Sequence, residues 1–215
     1  TLTGLGNRSL LCERLEQVIE RTQHVSNCRF AVLFMDFDRF KTINDSLGHD
    51  VGDLLLKDVA HRLHESLSCS DALNHQIRAD VIARFGGDEF VVLIDNLPDT
   101  QNAIFAADCI LASLSRPYRL DGYDIYSTAS LGIVVADRYS ATSVADILRD
   151  ADTAMYEAKL AGKGCYRVFD EAMRRRVQTR LNLESDLRKA TVAGELFFMY
   201  QPIVDLFSGE INSYE

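Results

Sequence analysis

Hydrophobic and polar positions along the 215-residue chain change period several times, and each change marks an element. Between residues 7 and 24, Leu10, Leu11, Leu15, Val18 and Ile19 recur at helical spacing, which predicts an amphipathic helix. Phe30 to Met35 is an unbroken apolar run, the pattern of a strand buried on both faces. Residues 53–67 return to helical spacing through Leu54, Leu55, Val59, Leu63 and Leu67. Val81-Ile82-Ala83 and Phe90 to Ile94 are two further strand-like runs, joined by a segment with paired glycines that predicts a hairpin. Residues 100–115 predict a helix, 123–136 one strand or two, 144–161 a helix stopped by Gly162, and 166–169 a short closing strand. Strands alternating with helices around a central hairpin predict an α/β fold with a mixed central sheet flanked by helices.

Past Phe169 the chain becomes highly charged, while Met173, Val177, Leu181, Leu183, Leu187 and Ala190 keep a helical stripe. This divides the chain into a main domain at 1–169, a linker helix at 170–194 and a terminal segment at 195–215. The triple Arg174-Arg175-Arg176 reads as a solvated face, and the polar stretch 66–76 as a surface loop.

Composition narrows the classes. With 47% hydrophobic and 26% charged residues, the chain can build one core plus an appendage. A net charge of −9 lacks the basic footprint that nonspecific nucleic-acid binding needs. Cys12, Cys28, Cys69, Cys109 and Cys165 are scattered, odd in number and without CxxC spacing, which suits reduced thiols in a cytoplasmic protein. His61 and His64 share a helix face but lack an acid or cysteine partner for a metal. No run approaches the roughly 18 apolar residues of a membrane span, and no signal peptide is evident.

The chemistry concentrates at two strand ends. Gly86 and Gly87 lack a Cβ and let backbone approach a ligand closely, while Asp88 and Glu89 present carboxylates on the same turn. The apolar run through Met35 ends in Asp36-Phe37-Asp38, whose two acids share a face in strand geometry. If this strand lies beside the hairpin, Asp36 and Asp88 converge into a cradle for a divalent cation that leaves positions for water and phosphates. Lys41 is a mobile charge suited to a phosphate, and Asn44 and Asp53 offer groups that read a purine's polar edge. By chemistry alone this is a nucleotide site of unknown base.

These residues fall in an ordered series: Leu2-Thr3-Gly4-Leu5 with Asn7-Arg8, Asp36-Phe37-Asp38, Phe40-Lys41 with Asn44-Asp45, Gly48-His49, Gly52-Asp53, Gly86 to Phe90, Ser130 to Ile133, Ala151-Asp152, Ala154-Met155-Tyr156, Ala158-Lys159 and Gly162-Lys163. The series resembles the GGDEF family of diguanylate cyclases. The resemblance implies a palm-like sheet similar to class III nucleotidyl cyclases. It implies that Asp36, the Phe37 carbonyl and Asp88 hold Mg²⁺ or Mn²⁺, and that Asn44, His49 and Asp53 form the guanine site. It further implies that Lys41 stabilises phosphate charge, that Lys159 and Lys163 grip the terminal phosphates, and that Asp88, supported by Glu89, accepts the 3′-hydroxyl proton. The expected reaction condenses two GTP into cyclic di-GMP and pyrophosphate across a dimer of two such domains.

Two features depart from or extend that pattern. The family's inhibitory Arg-x-x-Asp motif has Asp80 at its acidic position but Ile77 at the arginine position, with Arg78 one residue out of register, so weak or absent product inhibition is expected. Phe197 to Leu206, Gly209-Glu210-Ile211 and Glu215 resemble the opening of the EAL phosphodiesterase family, with Ser213 where that family has glycine. A complete barrel needs roughly 250 residues, so this chain holds only its start. The chain opens at Thr1 inside a motif, which suggests a longer parent with an upstream sensor or membrane segment. A competing expectation follows from the tandem arrangement: a catalytically silent domain that binds GTP and regulates an EAL neighbour.

Overall fold

The computed structural model describes residues 2–25, 28–67, 79–140 and 142–215. In chain order its elements are α1 (Arg8–His24), β1 (Arg29–Phe37), α2 (Phe40–Leu47), α3 (His49–Ser66), β2 (Val81–Gly86), β3 (Glu89–Ile94), α4 (Thr100–Leu114), β4 (Tyr118–Leu120), β5 (Tyr123–Ile125), β6 (Ala129–Asp137), α5 (Val144–Leu160), β7 (Tyr166–Val168), α6 (Glu171–Ala193), β8 (Pro202–Val204) and β9 (Ile211–Tyr214). The central sheet has the order β2-β3-β1-β6-β7. Its pairs are antiparallel except β6 with β7, which is parallel, so the sheet is mixed as the alternation predicts.

The apolar run of β1 is buried on both faces because each face has its own helical layer. Ala31, Leu33, Met35 and Phe37 join the core under α3 and α4, with Leu55, Val59, Leu63, Ala106 and Ile110. Phe30, Val32 and Phe34 point the other way, against Leu11, Leu15 and Val18 of α1 and Ile147, Ala151 and Met155 of α5. The alternation of strand side chains thus fills two cores from one strand, each large side chain contributing about 1.5–3 kcal/mol on burial. Side-chain oxygens start four of the helices: Asn7 accepts from Leu10 N, Asp99 from Asn102 N, Ser143 from Asp146 N and Asp170 from Met173 N.

Gly132 sets how near α5 comes to the sheet. A Cβ there would lie 1.9 Å from the Ala151 carbonyl oxygen and 2.3 Å from the Met155 nitrogen. Only glycine lets α5 backbone rest on β6, and that contact carries the far end of α5 to the end of β1.

Several boundaries differ from the sequence expectation. The helix expected from residue 53 starts at His49, and a further helix, α2, precedes it. Gly48, at φ 88°, ends α2 and starts α3. The 123–136 stretch divides into β5 and β6. Arg174 is not part of a solvated face: its Nη2 donates to both carboxylate oxygens of Asp150 at 2.7 Å, and its guanidinium lies over the Phe169 ring. Ser66 still belongs to α3, while the remainder of the expected loop from residue 68, Cys69, Ile77 and Arg78 all lie outside the described residues. Asp80 is described and pairs bidentately with Arg14 of α1.

The chain divides into two compact units, 1–174 and 175–215. The second holds the remainder of α6 and the antiparallel β8–β9 pair, and Phe197, Phe198, Met199, Leu206 and Phe207 are exposed. Among the described residues, no helix is long and apolar enough to cross a membrane.

Candidate active site

Register places the two acidic strand ends side by side. Asp36 of β1 lies opposite Glu89 of β3, and Phe37 N donates to the Asp88 carbonyl at 3.3 Å. The β2–β3 turn runs through Gly87 at φ 51°, a left-handed conformation that glycine adopts without a steric cost. Arg84 Nε donates to the Gly87 carbonyl at 2.8 Å and fixes the turn from behind.

A cation enters this group from α5. Lys159 Nζ lies 2.8 Å from Asp36 Oδ2, with both side chains largely buried. Asp152 stands at i−7 from Lys159 on the same helix, so it shares that face. The group therefore holds Asp36, Asp88, Glu89 and Asp152 around one lysine, an excess of negative charge. Burial pushes the Asp88 carboxyl above its ordinary range, and Asp36 pushes it further. Glu89 is raised by burial first, then by Asp152, Asp36 and Asp88. Asp152 keeps a solvent-facing edge but is crowded enough for partial desolvation to raise it, against the pull of Lys159.

Asp36 and Asp38 have different fates. Asp36 faces Lys159, whereas Asp38 is buried and accepts hydrogen bonds from Thr128 Oγ1, Ser130 Oγ and Gly164 N. Sequence reading missed Asp152 as a member of the group. Its spacing from Lys159 was the available signal.

A second cluster stands on α2 and α3, which follow β1 after Asp38 and Arg39. Lys41, His49 and Asp53 present exposed side chains there. Asn44 is half-buried, and its Oδ1 is fully buried without a hydrogen-bond partner. That oxygen lies over Gly52, where a Cβ would sit 1.8 Å from it. This acceptor rests against Gly52, next to Asp53, and its hydrogen-bonding capacity is unused among the described residues. Lys163, exposed and at φ 67°, sits in the turn between α5 and β7.

A cavity of about 340 Å³ also borders the turn, lined by Leu2, Thr3, Leu5, Gly6, Asn7, Arg84, Gly86 and Gly87. None of its lining residues is a carboxylate. Among the described residues, no set of three His, Cys, Asp or Glu side chains is gathered as a metal cage. Two carboxylates with a backbone carbonyl nevertheless suit Mg²⁺, which keeps several waters and binds through one or two acids and substrate phosphates. The raised carboxyls and the single lysine are what a site short of positive charge shows. Four of the cysteines, Cys12, Cys28, Cys109 and Cys165, are free thiols.

Comparison with known proteins agrees with this fold. Residues 1–165 match the family described as diguanylate cyclase, GGDEF domain. The cyclic di-GMP phosphodiesterase PdeR of Escherichia coli is 39% identical over 216 residues, covering 100% of this chain and 30% of that protein. The bifunctional diguanylate cyclase/cyclic di-GMP phosphodiesterase MucR of Pseudomonas aeruginosa is 39% identical over 203 residues, covering 94% of this chain and 28% of that protein. The chain thus spans less than a third of the length of either relative. The solved GGDEF domain of TpbB (YfiN) from Pseudomonas aeruginosa aligns with a TM-score of 0.73 and 37% identity, covering 83% of this chain and 98% of that one. The chain belongs to the diguanylate cyclase GGDEF domain family.

Proposed function

We propose that this chain is a diguanylate cyclase domain that condenses two GTP into cyclic di-GMP and two pyrophosphates. The observation that carries this reading is the convergence of Asp36, Asp88 and Glu89 at one sheet end with Lys159 among them. In the proposed reaction, the ribose 3′-oxygen of each GTP attacks the α-phosphorus of the other. At each α-phosphorus the new P–O bond forms as the bond to pyrophosphate breaks, and the hydroxyl proton passes to Asp88. Glu89 supports Asp88. Asp36, Asp88 and the Phe37 carbonyl would hold Mg²⁺ or Mn²⁺, which when bound lowers the hydroxyl's pKa and offsets phosphate charge. Lys41, Lys159 and Lys163 attract and orient the triphosphate, and Gly86 and Gly87 let it approach the turn. Asn44, with His49 and Asp53, reads the guanine edge: Asp53 accepts from its N–H donors, and Asn44 offers its side-chain amide. Each domain supplies one GTP, so the reaction needs two domains facing each other, and it belongs in the cytoplasm, where GTP is.

A second reading draws on the relatives. PdeR, as similar to this chain as MucR, is named for phosphodiesterase activity alone. On that reading the domain binds GTP without turnover and regulates an EAL domain, whose opening we place at residues 195–215. Both readings require a guanine site. Calorimetric titration with a non-hydrolysable GTP analogue and Mg²⁺ should show binding about tenfold or more tighter than the ATP counterpart, with Asp53→Ala removing the preference. Equal affinity for the two nucleotides would defeat both.

A further inference from the structure

We infer that Asp38 is a positioning residue that fixes the loop carrying Lys163 against the strand end carrying Asp36. The inference rests on the reading of Lys163 as a phosphate-binding group. Asp38 is 4% exposed, and among the described residues no lysine or arginine pairs with it. A buried carboxylate is costly unless hydrogen bonds satisfy it, and here they come from three directions. Thr128 Oγ1 donates at 2.6 Å and Ser130 Oγ at 2.8 Å, both from the start of β6. Gly164 N donates at 3.1 Å, from the turn between α5 and β7. The Asp38 backbone N donates in turn to the Thr128 carbonyl at 2.8 Å.

The turn so held is strained. Gly162, Lys163 and Gly164 have φ of 118°, 67° and 59°, all positive. Glycines accept this freely, but a lysine there costs on the order of a kilocalorie and persists only when its surroundings fix it. Hydrogen bonds fix this one: Lys163 N to the Ala158 carbonyl, Gly164 N to Asp38, Leu131 N to the Cys165 carbonyl, Gly162 N to the Lys159 carbonyl and Cys165 Sγ to the Ala158 carbonyl. Of these, the bond from Gly164 N is the one that ends on Asp38, two residues beyond Asp36. The hydroxyls of Thr128 and Ser130 can turn to suit a neutral partner, whereas a backbone N–H cannot turn. An acceptor at this position is therefore set by Gly164, and through it by where Lys163 points.

The test is a double-mutant cycle on the full chain, read as affinity for a non-hydrolysable GTP analogue with Mg²⁺ by calorimetry. Lys163→Met and Asp38→Ala should each weaken binding about tenfold, and the double variant should be no weaker than about tenfold, because Asp38 acts through Lys163. Asp38→Asn should stay near the parent, since its amide oxygen still accepts from Gly164. Asp38→Ser keeps a bond to Thr128 or Ser130 but is too short for Gly164; it should behave as the alanine variant, and it serves if that variant does not fold. Losses that multiply to about a hundredfold would reduce Asp38 to a structural role and overturn the inference. So would parent-like binding by a folded Asp38→Ser, or by Lys163→Met. Failure of the parent chain to bind the analogue would instead defeat the nucleotide reading itself, and the inference with it.

Discussion

Asp88 sits half-buried at the turn with Asp36 close by, and both burial and that neighbour favour its neutral form. Asp88→Asn should therefore abolish turnover and still raise the melting temperature, by roughly 1–3 °C for a domain of this size, in a thermal melt without metal. The same logic gives a pH dependence. Asp88, Glu89 and Asp152 have folded pKa values above their unfolded ones, so the native state holds their protons more tightly. Their contribution is favourable at low pH and is lost as pH rises through the folded values. The melting temperature of the parent minus that of the Asp88→Asn/Glu89→Gln/Asp152→Asn variant should rise as pH falls from 7 toward 4.5; a flat or falling difference would contradict the shifts. Opposed groups such as Asp137, held low by backbone and Ser140 hydrogen bonds, lose their contribution only at lower pH. Gly52 offers a cleaner separation of site from stability. An alanine Cβ meets only the tip of the Asn44 side chain, which can rotate away, and alanine favours the helix by about 1 kcal/mol. Gly52→Ala should change stability by no more than about 1 kcal/mol while weakening GTP-analogue binding about tenfold, because the Asn44 amide is displaced.

At the scale of elements, the α5–β6 contact decides whether the site exists. Gly132→Ala would press a Cβ into α5 backbone, which cannot rotate away as a side chain does. The expected cost is about 3 kcal/mol or more by denaturant titration, with loss of the lysine and acid that α5 supplies. The contrast with Gly52 shows what was legible in the sequence. The apolar runs of β1, β3 and β6 and the helical stripes of α1, α4 and α5 appear directly in the residue pattern, because hydrophobic patterning follows burial. The pairing of Asp36 with the hairpin acids was legible from strand ends alone. The start of α3 was not, because Gly48 and Gly52 imitate loop punctuation while serving a cap and a side-chain contact. Asp152 was hidden because a helix acid reads as solvated until the helix is docked. Asp38 looked like a twin of Asp36, and only tertiary contacts separate a buried tie from a site carboxylate.

At the scale of the molecule, the proposed chemistry has each domain supply one GTP and one set of acids, so it needs a second copy. The rate per domain should rise with protein concentration until the dimer saturates, and a strictly constant specific rate across a wide dilution series would argue against catalysis between two domains. The most direct measurement is to incubate the chain with GTP and Mg²⁺ and separate the products by chromatography, alongside Asp88→Asn. The account predicts cyclic di-GMP and pyrophosphate from the parent and neither from the variant. GTP bound tightly but recovered unchanged, even at protein concentrations that enforce a dimer, would contradict it and leave the regulatory reading in its place.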